Sequence, residues 1–243
     1  MKKQRKIFTR IKNIILNAIY PQRCSGCGEV LERGIICDNC RKSLVPIVSP
    51  VCHKCGASLS DHDTLDCMGI SAEVVAAYYY GGTVKEMILQ LKDNICDGIF
   101  DEFFADVCDK ISREYAAVEF DIAVCVPSYE RNEYSSSAVM AESLAKAFLL
   151  DFDRDTLTKY RKTQKQHFLS QEERMTNLAD SIKVTEGKEE SVVGKTVLLC
   201  DDVKSTGTTL NECAKALYST GAKKVCCVCI AVSDYVCRQS KNE

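Results

Sequence analysis

The chain has 243 residues, 46% hydrophobic and 27% charged, and that length suits one large domain or a medium domain with a small companion. Its formal net charge of -2 excludes attraction of the whole molecule to nucleic acid or anionic lipid, leaving such binding to local clusters of Lys and Arg. Its 16 cysteines follow no signal-like leader, and no stretch approaches the roughly 20 apolar residues of a membrane span. A reducing cytoplasm is therefore expected, rather than a secreted disulfide scaffold.

Residues 1–20 place Ile7, Phe8, Ile11, Ile14, Ile15 and Ile19 near helical spacing, with Lys2, Lys3, Arg5, Lys6 and Lys12 around the rest of the turn. The pattern predicts a basic amphipathic helix. Its apolar stripe either docks on the protein itself or meets a membrane surface or nucleic acid.

Residues 21–70 form a cysteine-rich module. Cys24 and Cys27, followed by Gly28, and then Cys37 and Cys40 make two C-x2-C pairs nine residues apart. Each pair can turn both thiolates toward one point, so four sulfurs can surround a structural zinc ion. A redox C-x-x-C is the alternative, but that motif is expected once, at a helix start beside a strand. Cys52 and Cys55 repeat the first half of the pattern and Cys67 follows, yet Ile70 stands where the partner of Cys67 is expected. A second zinc would need His62 or His53 as its fourth ligand. A small module with little core gains folding free energy from its metal.

Residues 71–243 read as a second domain. Strands are predicted near residues 74–80, 122–126, 196–200 and 224–232, and helices near 84–91, 101–115, 136–150 and 208–219. Such alternation implies an α/β fold with a mainly parallel sheet covered on both faces. Within it, the run Val197-Leu198-Leu199-Cys200 is a buried-strand pattern that leads into Asp201 and Asp202, then Lys204, then Ser205-Thr206-Gly207-Thr208-Thr209. Small hydroxyl residues and glycine at a sheet's carboxyl edge let backbone N–H groups converge on a phosphate, and the following helix favours its charge. Asp201 and Asp202 are placed to accept hydrogen bonds from sugar hydroxyls or to hold a divalent ion through its waters. A plain helix cap at Ser205 or Thr206, or an acidic metal pocket without sugar, are the blander readings.

That segment resembles the ribose-phosphate signature of type I phosphoribosyltransferases, with Ser205 in place of the usual first threonine. Together with the cysteine module, the resemblance narrows to the ComF family, competence-associated proteins that join a zinc-ribbon module to a phosphoribosyltransferase domain. Further support comes from the stretch at residues 80–85, Leu91-Lys92, Val126-Pro127 and the spacing Thr163, Gln166, Leu169, Ser170, Glu173, Arg174, Asn177. The resemblance implies a type I phosphoribosyltransferase-like parallel sheet flanked by helices, with Asp201 and Asp202 as catalytic carboxylates. It also implies a loop near residues 160–174 closing over a diphosphate, with Arg161, Lys162 and Lys165, and Arg131 from a second loop, as cations for it.

The implied ligand is phosphoribosyl diphosphate or a related sugar phosphate, with magnesium. The family's competence role implies a second kind of partner, single-stranded DNA or a competence helicase, and a cytoplasmic protein associated with the membrane through the competence machinery. One departure is plain. Where such proteins carry a run like R-G-F-N-Q after Val-Pro, this chain has Ser136-Ser137-Ala138-Val139-Met140, without the cation, the glycine or the amides. Two readings follow: a transferase acting at the ribose anomeric carbon, or a non-catalytic module for nucleic-acid uptake.

Overall fold

A computed structural model of the chain describes residues 21–60, 70–93, 98–128, 134–160 and 181–233. The expected helix over residues 1–20 lies outside the described residues, as do His62, Cys67, Arg131, Arg161, Lys162 and Lys165.

The sheet is built from β1 (Glu73–Tyr79), β2 (Ile122–Cys125), β3 (Asp151–Phe152), β6 (Thr196–Lys204) and β7 (Lys224–Val232), in the order β1-β7-β6-β2-β3. All four pairings are parallel, as the alternation of strands and helices requires. Strand β7 is a near-continuous run of Val, Cys, Ile and Ala whose residues 225–232 are all buried. Both faces of the sheet's centre are therefore covered.

Helix α1 (Asp38–Lys42) belongs to the cysteine module, and the larger helices are α2 (Gly82–Lys92), α3 (Ile99–Glu114), α4 (Ser136–Phe148) and α5 (Thr208–Ser219). In α3, Ile99, Phe103, Val107 and Ile111 recur every four residues and are all buried, one stripe laid against the sheet. Helix α4 starts at a side-chain cap, Ser135 Oγ accepting from the Ala138 N–H at 3.3 Å. Two short strands, β4 (Leu157–Lys159) and β5 (Ile182–Val184), form a separate antiparallel pair that packs near α5.

The observed elements depart from expectation at one functionally important place. Strand β6 does not end at Cys200 but continues to Lys204, because β7 is long enough to pair with all of it, with Asp201 opposite Cys229 and Lys204 opposite Val232. The acidic pair thus sits inside the strand. Backbone pairing fixes its direction.

The cysteine module is bonded to the sheet domain along its length. The N–H of Ile47 donates to the Ala77 carbonyl at 2.8 Å and that of Tyr79 to the Val45 carbonyl at 3.2 Å, so residues 45–47 cover part of the β1 edge. Lys110, only 6% exposed, donates from Nζ to the Ile47 carbonyl at 2.6 Å and to Ser49 Oγ at 3.1 Å. Arg41 pairs with Glu102 at 2.6 Å, and Gln90 Nε2 donates to the Ser25 carbonyl at 3.0 Å. Tyr78 donates its hydroxyl proton to Asp106. No helix of the described residues is long and apolar enough to cross a membrane.

Candidate functional site

At the carboxyl end of β6, residues 205–207 turn the chain into α5. Gly207 is the N-cap at φ 79° and makes no side-chain cap bond, so the first turn of α5 presents its N–H groups without a capping side chain of that residue. Thr206 Oγ1 lies 2.9 Å from Thr208 Oγ1 and accepts weakly from the Thr208 N–H at 3.4 Å. Ser205 is exposed, while Thr206, Thr208 and Thr209 are half-buried. Hydroxyls, backbone N–H groups and the positive end of a helix of 12 residues thus meet at one point, which suits an anion such as a phosphate.

A side chain at Gly207 has no room. A Cβ there would stand 2.5 Å from Ile70 Cγ2 and 3.2 Å from Lys204 Cε. Lys204, expected among the phosphate-binding residues, is 1% exposed with its side chain packed beneath this glycine, and its carbonyl accepts from the Ser233 N–H at 2.9 Å. Its placement supports the loop from below.

Asp201 and Asp202 are consecutive residues near the carboxyl end of β6, just before the loop. The Asp202 N–H donates to Asp201 Oδ1 at 2.9 Å. Both oxygens of Asp202 are engaged: Lys92 Nζ at the end of α2 approaches Oδ1 at 3.1 Å, and Ser136 Oγ at the start of α4 donates to Oδ2 at 2.5 Å. Burial works against the charge of Lys92, but Asp202 and Asp201 outweigh it and hold the ammonium above the usual lysine range. Burial, with the neighbouring charge of Asp202, pushes the Asp201 carboxyl up to about 7.

Neither Lys92 nor Ser136 was expected at the site. Leu91-Lys92 supports the family resemblance, and Ser136 marks the departure from it. No local signal shows that the two converge on one carboxylate, because they reach it through the packing of separate helices. Beside them, a cavity of about 170 Å³ opens between the end of β2 and β4, lined by Ser128, Ser135, Arg154, Asp155, Thr158 and Lys159 among others. Burial pushes the Lys159 ammonium down, with Cys213 and Asp201 partly offsetting it.

The sulfurs of Cys24, Cys27, Cys37 and Cys40 all lie within 4.8 Å of one another, and those of Cys27 and Cys37 are 3.8 Å apart. A tetrahedron with Zn–S bonds of ~2.3 Å has edges of ~3.8 Å, so the donor set fits zinc. The Cys24 sulfur accepts from the N–H of Cys37 at 3.3 Å and of Gly26 at 3.4 Å. Burial raises the Cys24 thiol, but these donors and the Cys27 N–H win and bring it down to about 6. Burial and the neighbouring thiols push Cys40 up to about 12. A bound cation would let the four sulfurs ionise together.

Cys52 and Cys55 stand in the same backbone arrangement twenty-eight positions on. The bonds Gly28 N–H to Cys24 carbonyl and Cys24 N–H to Glu29 carbonyl recur as Gly56 to Cys52 and Cys52 to Ala57, and the bridge between Arg23 and Val30 recurs between Val51 and Ser58. The second turn therefore has the fold of a zinc knuckle. His53 is committed elsewhere, with Nε2 3.3 Å from Glu114 and Nδ1 3.7 Å from Glu73, and among the described residues it does not join the two thiols as a metal-ligand group. Ile70, at the position of the missing cysteine, packs against Gly207 of the loop before α5.

Residues 15–70 match the double zinc ribbon domain, and residues 134–241 match the phosphoribosyl transferase domain. The DNA utilization protein YhgH of Escherichia coli strain K12 is 31% identical over 115 residues, 45% of this chain and 49% of that protein. The competence protein ComFC of Bacillus subtilis strain 168 is 25% identical over 202 residues, 76% of this chain and 79% of its own. The chain spans about half the length of the first of these curated relatives. One solved structure, of an allosteric regulatory enzyme of purine biosynthesis, covers 48% of this chain and 23% of its own at 25% identity and a TM-score of 0.33.

Proposed function

We propose that this chain, a member of the ComF family that joins a double zinc ribbon domain to a phosphoribosyl transferase domain, binds a phosphoribosyl diphosphate-type ligand at the carboxyl edge of its sheet. The supporting observation is the placement of two carboxylates, Asp201 and Asp202, near the end of the strand that leads into a turn of hydroxyls and glycine at the start of α5. The turn suits a 5-phosphate and the carboxylates suit ribose hydroxyls.

For a sugar held this way, the proposed reaction is at its anomeric carbon. Transfer breaks the bond from that carbon to the diphosphate oxygen, which leaves with the electron pair, and forms a bond to an incoming base or amine. Such a step needs positioning and charge stabilisation more than a covalent nucleophile. Asp201 and Asp202 would hold a magnesium ion brought in with the ligand through its waters, and the ion would supply charge screening for the diphosphate. Arg161, Lys162, Lys165 and Arg131 are the proposed cations on that side.

A second reading is favoured by the relatives, one named for DNA utilization and one for competence. In it, the pocket and the ribbon serve nucleic-acid uptake, contacting a single strand or a partner protein such as a competence helicase, without catalysis. A cytoplasmic protein that meets the membrane through the competence machinery suits either reading.

Calorimetric titration with phosphoribosyl diphosphate and magnesium, with single-stranded DNA in parallel, separates the two. Saturation by the sugar ligand, lost in Asp202→Ala, is the expected result. No saturation together with salt-sensitive DNA binding would overturn the first reading in favour of the second.

A further inference from the structure

A carboxylate has about four acceptor positions, two on each oxygen. In Asp202, Lys92 takes one position on Oδ1 at 3.1 Å and Ser136 takes one on Oδ2 at 2.5 Å. One donor on each oxygen fixes the plane of the group and, among the described residues, leaves one position open on each. Two open positions on one rigid plane suit two neighbouring hydroxyls, such as the cis diol of a ribose. A carboxylate held by a single donor would keep rotational freedom and lose that selectivity.

The two donors lie on different helices, Lys92 at the end of α2 and Ser136 at the start of α4. Lys92 is the last residue of α2, whose Val84, Met87, Ile88 and Leu91 are buried in the core. Ser136 is 8% exposed, in the first turn of α4, where the neighbouring Ser137 anchors that turn by donating to the Val126 carbonyl at 3.0 Å. Asp202 itself is 7% exposed. A carboxylate so deeply placed is held in one orientation by the two partners together.

From these contacts we infer that Lys92 and Ser136 are positioning residues that orient Asp202 toward the vicinal hydroxyls of a ribose, and so make the pocket selective for ribose phosphates over bare phosphate and deoxyribose phosphates. The inference rests on the sugar-phosphate reading above. It also gives the departure at residues 136–140 a use: the serine that stands in place of a cation, glycine and amides supplies a hydrogen bond to the sugar-binding carboxylate.

The test is titration of the full-length, zinc-loaded protein with ribose 5-phosphate, 2-deoxyribose 5-phosphate and inorganic phosphate. Lys92→Met and Ser136→Ala are each expected to weaken ribose 5-phosphate about tenfold and to erase the preference over the deoxy sugar, while inorganic phosphate binds as before. Lys92→Arg restores the preference, and Lys92→Met adds nothing to Asp202→Asn in the double variant. Unchanged phosphate binding reports an intact fold. Equal losses for all three ligands, or an untouched preference for the ribose, would overturn the positioning role and leave the sugar-phosphate reading standing. A wild-type protein that binds neither sugar phosphate overturns both.

Discussion

At the residue scale, Asp201 is a carboxylate held in an unfavourable setting. Its carboxyl is pushed up to about 7 from an ordinary 3.8, by burial first and by Asp202 second. A group that binds its proton more tightly when folded favours the folded state while protonated, and that advantage is lost as pH rises from the unfolded value through the folded one. Stability is therefore expected to fall between about pH 4 and 8 through this residue. Asp201→Asn removes the dependence without changing the shape. The variant is expected to melt a few degrees higher than the wild type at pH 8, and by a clearly smaller margin at pH 5. Thermal melts at the two pH values check this, and an equal shift at both would show that Asp201 is not the titrating group. The same variant loses sugar-phosphate affinity, the cost that a functional carboxylate in a poor solvent imposes on the fold.

At the element scale, the phosphate loop depends on one glycine. Gly207 combines φ 79° with a neighbour, Ile70, that a Cβ would meet at 2.5 Å. Gly207→Ala therefore strains the backbone and forces the loop away from the segment beneath it, with an expected loss of about 1–3 kcal/mol of stability. Phosphate affinity falls in the same variant, measured by titration, whereas Thr209→Ser leaves both unchanged. The loop was legible in the sequence because its signal is local: an apolar run, two carboxylates, then small hydroxyls and glycine. The four long strands and four long helices were legible for a similar reason, each being long enough to show a period. What was not legible has no local signal. Strands β3, β4 and β5 have two or three residues each, too few for alternation to register. The extension of β6 to Lys204 is decided by β7, a different part of the chain, against the sequence hint that Asp201 begins a loop. Lys92 and Ser136 were visible as residues but not as partners, since only the docking of α2 and α4 on one sheet edge joins them to Asp202.

At the scale of the whole molecule, both halves of the ribbon touch the elements that form the pocket. The first zinc cluster abuts the start of α2: a Cβ at Gly26 would meet both Cys40 Sγ and Thr83 Cγ2 at 2.7 Å, and Ser43 Oγ lies 2.6 Å from Thr83 Oγ1. Gln90, near the other end of the same helix, holds the Ser25 carbonyl at 3.0 Å, and Lys92 ends the helix on Asp202. The second knuckle leads to Ile70 under Gly207 and to Ser71, whose N–H donates to Asn211 Oδ1 of α5 at 3.0 Å. A metal-dependent module therefore braces the carboxylate through α2 and the phosphate loop through the 70–71 segment. Loss of zinc lets such a small module open locally, since most of its folding free energy comes from the ion. Both braces then loosen. Zinc-stripped protein, with metal loss verified by elemental analysis, is expected to melt lower and to bind ribose 5-phosphate about fivefold more weakly or worse, and re-addition of zinc to restore both. A metal-free protein with undiminished ribose 5-phosphate affinity would mean that the ribbon is only a neighbour of the pocket, because a brace that can be removed without consequence carries no coupling free energy.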